Sequence, residues 1–295
     1  MRMMDLDDLE IFRAVVREGG VTRAADRLHR VPSNVTTRIK QFEERIGHSL
    51  FRRQGRGLVL TDVGRTLLSH AERLLRLADA AEQELRSGKA RGVLRLGSLE
   101  SAAGVRLPPL LSRFHARYPD IAIQMTTDTT GALLRQLERF EIDAAFVSEP
   151  FEPGRFASVA AFEEELVLIT AKGDRALRRS ADLGGKTVVA FPHGCSYRRR
   201  LMEWLASEGV SPDRILDLGS YHAIVACVAA GSGIAIVPTG VLDHAALGTA
   251  VDRHPLPAKL RKNRTHLVWS GDPSSPLQAL MALLPNAGAK RRAVG

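Results

Sequence analysis

The sequence predicts an α+β protein with more than one domain, and three observations support this prediction. The chain has 295 residues, whereas a single domain usually has roughly 100 to 200. The N-terminal part carries three short amphipathic helical patterns, a hairpin pattern and then a longer helical pattern. From Gly92 onward, short β-rich runs alternate with helical patterns, which is typical of parallel α/β structure.

The composition is that of an ordinary globular protein, since 44% of the residues are hydrophobic and 25% are charged. The most continuous apolar stretch, residues 223–230, is far shorter than the ~20 residues that cross a bilayer, and residues 1–8 lack the features of a secretory signal. We therefore expect a cytoplasmic protein with no membrane partner. The two cysteines, Cys195 and Cys227, are too few for a disulfide framework or a four-cysteine zinc site, so we expect no metal and no cofactor.

Basic charge is concentrated near the N-terminus. The chain has a formal net charge of +9, and residues 20–60 alone contain nine Arg or Lys residues against three acids. A compact basic segment is typical of a surface that binds a polyanion, most often nucleic acid. The alternative is a small helical domain whose arginines are merely solvated.

The first two helical patterns are short. Apolar residues from Asp5 to Arg17 recur on one helical face, with Asp5 as the expected N-cap and Gly19-Gly20 as the stop. Thr22 is then the expected cap of a second helix. The inner face of that helix is built on alanines, which lets it approach a neighbouring helix closely.

The third helix is predicted to begin at Pro32 and Ser33 and to end at Gly47. Its apolar residues form a stripe, and Ser33, Thr37 and Lys40 fall on the opposite face. This outward face is polar and nearly free of bulk in its first two turns. Such a face suits a helix whose N-terminus enters the major groove of DNA.

A hairpin is predicted after the third helix, because residues 50–53 and 58–60 bracket a turn that contains glycines. The hairpin carries three arginines, Arg52, Arg53 and Arg56. We expect these side chains to bind the phosphates beside the groove that the third helix reads.

A longer helix is predicted from Asp62 onward, with Thr61 as its N-cap. Its apolar residues alternate by four and three, as in a coiled-coil seam, but they span under three heptads and are also compatible with an ordinary amphipathic helix. The predicted dimerisation seam consists of Leu67, Ala71, Leu74, Ala78, Ala81 and Leu85.

Residues 24–65, which read AADRLHRVPSNVTTRIKQFEERIGHSLFRRQGRGLVLTDVGR, resemble the winged helix-turn-helix of LysR-type transcriptional regulators, and the resemblance continues over nearly the whole chain. It implies double-stranded operator DNA as a partner and a homodimer or homotetramer paired through the long helix. Pro32-Ser33 and Thr37 stand where members of the family commonly have a Gln-Pro pair and then an Arg, so the base preference does not carry over. The residues expected to contact DNA are Thr22, Pro32, Ser33, Asn34, Thr36, Thr37, Arg38, Lys40, Arg52, Arg53 and Arg56.

The part from Gly92 onward resembles the two-lobed, periplasmic-binding-protein-like effector domain of that family. In open α/β sheets, ligands bind beyond the carboxyl ends of the strands. The expected bounds are 4–61 for the DNA-binding domain, 62–88 for the linker helix and 92–295 for the effector-binding domain, with lobe I at about 92–161 and 268–295 and lobe II at about 162–267.

Small polar residues gather in the loops that follow the predicted strands, where helices begin. Backbone N–H groups and the helix dipole are available to a ligand at such points, although each Ser or Thr taken singly is compatible with a simple helix cap. The residues expected to bind a small-molecule effector are Glu100, Ser101, Thr129, Thr130, Ser148, Cys195, Ser196, Tyr197, Tyr221 and His222.

Charged residues constrain the effector. Arg198, Arg199 and Arg200 crowd the first turn of a predicted helix, where cations oppose the helix dipole, so we expect a negative group beside them. That group is either an acid of the protein or an anionic part of the ligand, whereas Glu100 is placed to receive an ammonium group. Several stretches also resemble regulators of polyamine and amino-acid utilisation. Together these features favour an amino acid, an amine or a related metabolite.

Two alternative functions share parts of this pattern. A transport-type solute-binding protein has the same two-lobed fold, but the basic N-terminal module argues against it. A redox-sensing regulator would use Cys195, whose thiol is expected near a helix N-terminus beside arginines that lower its pKa. Residues 184–187 imitate the end of a phosphate-binding loop, but the first glycine and the following helix are missing. The sequence positions no catalytic constellation, so we expect no enzymatic activity.

Overall fold

The computed structural model describes residues 3–54, 57–87, 92–154, 156–174, 180–244 and 246–285. Backbone contacts divide the chain into two units, Met1–Lys89 and Ala90–Gly295. The first unit is helical with one hairpin, and the second has mixed α/β structure.

The N-terminal unit contains the predicted three helices, hairpin and long helix. Asp5 caps the first helix, since its side chain accepts a hydrogen bond from the backbone N–H of Asp8 at 2.8 Å. Gly47 ends the third helix with a φ of 71°, which glycine adopts at little cost. The elements are α1 (Leu6–Arg17), α2 (Val21–Arg27), α3 (Pro32–Ile46), β1 (Phe51–Gln54), β2 (Gly57–Leu60) and α4 (Asp62–Ser87).

Thr22 does not cap the second helix, so that prediction is wrong. The N-cap is Gly20, because the backbone N–H of Ala24 donates to the Gly20 carbonyl at 3.1 Å and the helix therefore begins at Val21. Thr22 lies in the first turn, where its side chain is exposed.

An apolar core holds the N-terminal unit together. Phe12, Phe42 and Leu50 are fully buried in it, and each such side chain contributes roughly 1.5–3 kcal/mol through burial. Ala24 and Ala25 are also fully buried, which allows α2 to lie close to its neighbours. The small residues of the second helix therefore have the packing role that the sequence predicts.

The C-terminal unit alternates strands and helices, as predicted, and adds two short 3₁₀ helices. Its strands are β3 (Gly92–Ser98), β4 (Ile121–Thr127), β5 (Ala144–Ser148), β6 (Phe156–Ala171), β7 (Thr187–Ala190), β8 (Arg214–Asp217), β9 (Ala235–Pro238), β10 (Val251–Pro255) and β11 (Lys262–Ser270). Its helices are α5 (Glu100–Val105), α6 (Leu107–Arg117), α7 (Thr130–Glu138), α8 (Ser196–Ser207), α9 (Tyr221–Ala229), α10 (Thr239–His244), α11 (Ala258–Arg261) and α12 (Ser275–Met281).

The expectation of a parallel sheet is correct only in part. The main sheet has the order β10-β6-β11-β5-β3-β4, with β9 also beside β6. Strand β3 runs parallel to β4 and β5, and β7 runs parallel to β8, but β9, β10 and β11 are all antiparallel to β6. Strand β6 has 16 residues and runs through both lobes, and β9, β10 and β11 each return along it in the opposite direction.

The unit has two lobes, because its buried apolar residues form separate cores. The core of the second lobe draws on residues 166–256, whereas the cores of the first lobe draw on residues 94–161 and 267–284. Strand β6 joins the lobes, and β11 lies against it with a register shift between Thr265 and His266.

The part of the chain that the structure describes contains neither a helix suited to span a membrane nor a cluster of side chains suited to bind a metal ion. No helix there combines the length and the apolar character that a membrane crossing requires. Within the same residues, His, Cys, Asp and Glu side chains form no group of three that could hold a metal ion.

Candidate functional site

The outward face of α3 is exposed, as the sequence predicts. Ser33, Thr37 and Lys40 are exposed, and so are their neighbours Pro32, Asn34 and Thr36. Thr36 donates through Oγ1 to the Pro32 carbonyl at 3.0 Å, and no side chain caps the helix N-terminus. The first two turns thus present small polar side chains at the positive end of the helix dipole.

Arg38 was expected to contact DNA, but its side chain is turned toward α1. Its guanidinium NH2 lies 2.9 Å from Asp8 Oδ1 and 3.0 Å from Asp7 Oδ2. Arg30 of the preceding loop also pairs with Asp7, at 2.6 Å. The acids of α1, which the sequence prediction did not connect to α3, hold Arg38 away from the outward face.

The hairpin brings two of its three predicted arginines to the surface. Arg52 pairs with Val59 and Arg53 pairs with Leu58 in the antiparallel register, and both arginine side chains are exposed. Arg56 lies outside the described residues.

The base of the hairpin is attached to α3 through Glu43. The Oε1 atom of Glu43 accepts the backbone N–H groups of Leu50 at 2.6 Å and Phe51 at 3.2 Å. Thr61 also lies at the base of the hairpin, where its backbone N–H donates to the Leu50 carbonyl at 2.9 Å. Its Oγ1 accepts the backbone N–H of Gly64 at 3.0 Å and caps α4, as predicted. The hairpin and α3 are therefore held as one piece.

The predicted seam of α4 is divided between two faces. Ala71 is fully buried in the core of the N-terminal unit and Leu67 packs against it, so these two residues are not available to a partner helix. Leu74 is 41% exposed, and Leu77, which the seam prediction omitted, is 66% exposed. Ala78 is half-buried, Ala81 is exposed, and the side chain of Leu85 lies outside the described residues.

The seam prediction is therefore wrong at its N-terminal end. The first turns of α4 pack against α1 of the same unit, because Leu67 and Ala71 belong to the same apolar core as the buried residues of α1. The apolar surface left for a partner starts near Leu74.

Most of the predicted effector residues line one small pocket between the lobes of the C-terminal unit. The pocket has a volume of about 20 Å³, which is room for about one water molecule. Its lining residues are Leu99, Glu100, Asp128, Thr129, Ser148, Phe191, Cys195, Ser196, Tyr197 and Tyr221.

Three predicted residues do not line this pocket, and three others were missed. Ser101 is buried beside it, Thr130 faces a larger adjoining groove, and His222 is exposed on α9. The missed lining residues are Leu99, Asp128 and Phe191. Asp128 and Phe191 follow strand ends, so the same rule that found their neighbours could have found them.

Hydroxyl groups join the two lobes directly. Ser196 of α8 donates to the Ser148 carbonyl at 2.8 Å, and its Oγ also lies 2.9 Å from Thr130 Oγ1. The backbone N–H of Gly131 donates to the Gly194 carbonyl at 3.1 Å. Two of the predicted ligand-binding hydroxyls, those of Ser196 and Thr130, therefore contact each other across the cleft, and the lobes are close together.

Glu100 bridges the lobes by capping a helix across the cleft. Its carboxylate accepts the backbone N–H of Tyr221 at 3.0 Å and the Ser220 hydroxyl at 3.3 Å. A carboxylate at this point also matches the positive end of the α9 dipole. The carboxylate thus faces the pocket with part of its hydrogen-bonding capacity in use.

The three arginines of α8 find partners on the protein. Arg198 donates to Asp217 at 2.6 Å, and Arg199 lies 3.9 Å from Glu203. Arg200 donates to Asn263 Oδ1 at 2.8 Å. Of the two alternatives for the compensating negative group, the structure favours groups of the protein over a ligand anion.

A buried carboxylate, Glu164, lies behind the pocket on β6. Its Oε2 accepts the hydroxyls of Tyr197 and Thr265, each at 2.9 Å, and Asn263 Nδ2 approaches it at 3.4 Å. Arg106 Nε lies 3.9 Å from Oε1. Burial and then the charge of Glu164 raise the pKa of the Tyr197 hydroxyl well above its ordinary value, so Tyr197 remains a neutral donor at neutral pH.

Cys195 is buried at the N-terminus of α8, and its surroundings reverse the expected shift. Burial raises the pKa of the thiol, although nearby backbone N–H groups and Arg198 act in the opposite direction. A thiol with a raised pKa forms less of the reactive thiolate, so this geometry does not favour redox sensing. Cys227 is half-buried, and both cysteines are free.

Comparison with known families gives two matches that cover most of the chain. Residues 6–65 match the bacterial regulatory helix-turn-helix protein, lysR family. Residues 87–289 match the LysR substrate binding domain. The second match alone spans more than half of the chain.

Individual proteins give the same result. The HTH-type transcriptional regulator YofA of Bacillus velezensis is 36% identical over 270 residues, covering 91% of this chain and 93% of the relative. Full-length CbnR complexed with its target DNA has a TM-score of 0.67 at 22% identity and covers 96% of this chain and 100% of its own. Full-length LysG from Corynebacterium glutamicum with bound effector Arg has a TM-score of 0.67 at 18% identity, covering 99% and 100%. At these identities the two structures establish the fold alone.

Proposed function

The chain belongs to the LysR family of DNA-binding transcriptional regulators, and from this premise we propose that α3 and the hairpin bind operator DNA while the cleft between the lobes binds a small amine or amino acid. The observation that carries the proposal is a cleft whose lining includes hydroxyl groups from both lobes. The same chain exposes small polar side chains on α3 and two arginines on the hairpin. The relatives are transcriptional regulators rather than enzymes or transport proteins. We retain the domain bounds 4–61, 62–88 and 92–295 as part of the proposal.

In the proposed DNA complex, the first turns of α3 enter the major groove. Ser33, Asn34 and Thr37 reach base edges there, because short hydroxyl and amide side chains both donate and accept hydrogen bonds. Arg52 and Arg53 of the hairpin bind phosphates in the adjacent backbone, which fixes position without reading sequence. The complex of CbnR with its target DNA supports this use of the fold.

Substitutions separate the two roles. Arg53→Ala should weaken binding to all duplexes alike and reduce the slope of log K against log salt by about 0.9, the share of one phosphate contact. Thr37→Ala should change the preference among duplexes selected from a randomised library while leaving the salt slope unchanged. Fluorescence anisotropy at four salt concentrations measures both quantities. Equal losses on selected and random duplexes for both variants would contradict the assignment.

The effector proposal rests on Glu100 and the hydroxyl groups around it. Glu100 supplies a negative charge at one end of the cleft, and Thr129, Ser148 and Tyr197 supply groups that bind a polar head. The pocket is too small for a metabolite in this arrangement, so binding would require the lobes to separate and the contacts between Ser196 and Ser148 to exchange for contacts with the ligand. LysG with bound Arg supports an effector of this class.

Charge removal at Glu100 tests the effector class. Glu100→Gln should weaken the binding of lysine, arginine or putrescine by about 10- to 100-fold. This loss corresponds to the ~1.5–3 kcal/mol of a hydrogen bond to a charged group. Calorimetric titration of the full chain should show a much smaller loss for the N-acetylated analogue of the ligand that binds. Asp128→Asn, which removes another acid from the pocket lining, is the matched control. Equal losses for the amine and its acetylated analogue would remove Glu100 from the site.

A further inference from the structure

We propose that Asp8 is a positioning residue that holds Arg38 away from the DNA backbone and thereby sharpens sequence discrimination by α3. The Asp8 side chain is completely buried, although aspartate is rarely buried without a partner. One of its oxygens lies 2.9 Å from Arg38 NH2, and the other accepts a hydrogen bond from Arg45 NH2. A single carboxylate of α1 therefore engages two turns of the DNA-binding helix.

The contact between Asp8 and Arg38 is held by charge more than by hydrogen-bond geometry. Arg38 NH2 has three carboxylates within 4 Å, those of Asp5, Asp7 and Asp8 at 3.7, 3.0 and 2.9 Å. In contrast, Arg38 Nε is buried with no hydrogen-bond partner among the residues that the structure describes. Arg38 NH2 also donates a hydrogen bond to Asp7 Oδ2 at 3.0 Å, so removal of the buried Asp8 charge weakens the hold on the guanidinium and favours its release without removing every partner.

The position of Arg38 on α3 makes such a release consequential. Arg38 follows the exposed Thr37 and precedes the exposed Lys40, and its own side chain retains 31% exposure. In the proposed complex the strongest anions within reach of a released arginine are the DNA phosphates. An added phosphate contact raises affinity for every duplex equally, because phosphates carry no sequence information.

The acids of α1 thus suppress one sequence-independent contact. Base contacts from α3 then account for a larger share of the total binding free energy, and the ratio between specific and non-specific affinity rises. This inference rests on the proposed placement of α3 in the groove. It adds that a residue with no DNA contact of its own, Asp8, sets part of the discrimination.

The test uses the full chain, a random 30-bp duplex and a duplex that the wild-type protein selects from a randomised library. Asp8→Asn should bind the random duplex several-fold more tightly at low salt, with a salt slope steeper by about 0.9, and should lose several-fold in the ratio of selected to random affinity. Adding Arg38→Met to Asp8→Asn should restore the wild-type slope. Glu10→Gln, which removes an exposed acid from the same helix, is the matched control and should leave the ratio unchanged.

Arg38→Met alone keeps the proposal testable if Asp8→Asn folds poorly. It should leave the salt slope on the random duplex at the wild-type value, because Arg38 makes no phosphate contact while Asp8 holds it. A slope reduced by about 0.9 in this variant would overturn the proposal, as would an unchanged slope and ratio in folded Asp8→Asn. If instead the wild-type protein selects no duplex, or Thr37→Ala leaves the selected sequence unchanged, the placement of α3 itself is wrong.

Discussion

Glu164→Ala is expected to lower the free energy of unfolding of the C-terminal unit by about 2–6 kcal/mol, because two buried hydroxyl donors lose their acceptor at roughly 1–3 kcal/mol each. The substitution removes the acceptor of the Tyr197 and Thr265 hydroxyls and leaves both donors buried. It also leaves the Arg106 guanidinium without its nearest carboxylate. Glu164→Gln should cost less, since the amide retains an acceptor oxygen.

Urea denaturation of the full chain, followed by circular dichroism, measures this loss. Glu165→Ala is the matched control, because Glu165 is the next residue of β6 and its side chain is exposed. Its ion pair with Arg261 at 3.8 Å is worth at most ~1 kcal/mol at the surface. Similar losses for the two variants would show that Glu164 does not anchor the region behind the pocket.

Leu74→Glu is expected to convert the assembled protein to monomers and to weaken operator binding by on the order of 100-fold or more. We propose that the exposed apolar face of α4, beginning at Leu74 and including Leu77, pairs with a second copy of the chain. Burying an unpaired carboxylate in that contact is costly. A monomer also loses the affinity that a dimer gains when its two DNA-binding units bind two half-sites of the operator at once.

Analytical ultracentrifugation determines the oligomeric state of the variant. Leu77→Glu should have the same effect, because Leu77 is the more exposed of the two leucines. Thr66→Glu adds the same charge to an exposed polar position of α4 and should leave the assembly intact. An unchanged oligomer in both leucine variants would contradict pairing through this face.

Local patterns predicted the N-terminal unit well. Helix α3 begins at Pro32 and ends at Gly47, as predicted, since both signals act within one turn of the chain. The contacts of Arg38 and Leu67 were not predictable in the same way. Each depends on α1, about thirty or more residues away in sequence, and neither an ion pair nor a shared core leaves a periodic signal.

In the C-terminal unit, hydrophobic periodicity did not predict every strand correctly. The apolar pattern of the sequence predicts a strand only at residues 166–170, whereas β6 begins at Phe156, because the acids Glu163–Glu165 interrupt its apolar character. Glu164 is nevertheless buried, and its partners come from α8 and β11. The pocket itself was largely predictable, because strand ends concentrate ligand-binding groups, whereas the direction in which His222 projects depends on how α9 packs.

The antiparallel ribbon of β6 and β11 determines how the two lobes can move. Bending in the plane of a ribbon would stretch the hydrogen bonds that pair residues 156–165 with 262–270, whereas bending out of that plane or twisting leaves them intact. The register shift at Thr265 and His266 adds local twist at the same point. The ribbon therefore resists in-plane bending more than it resists out-of-plane bending or twisting, and the work of ligand binding goes into those two softer motions.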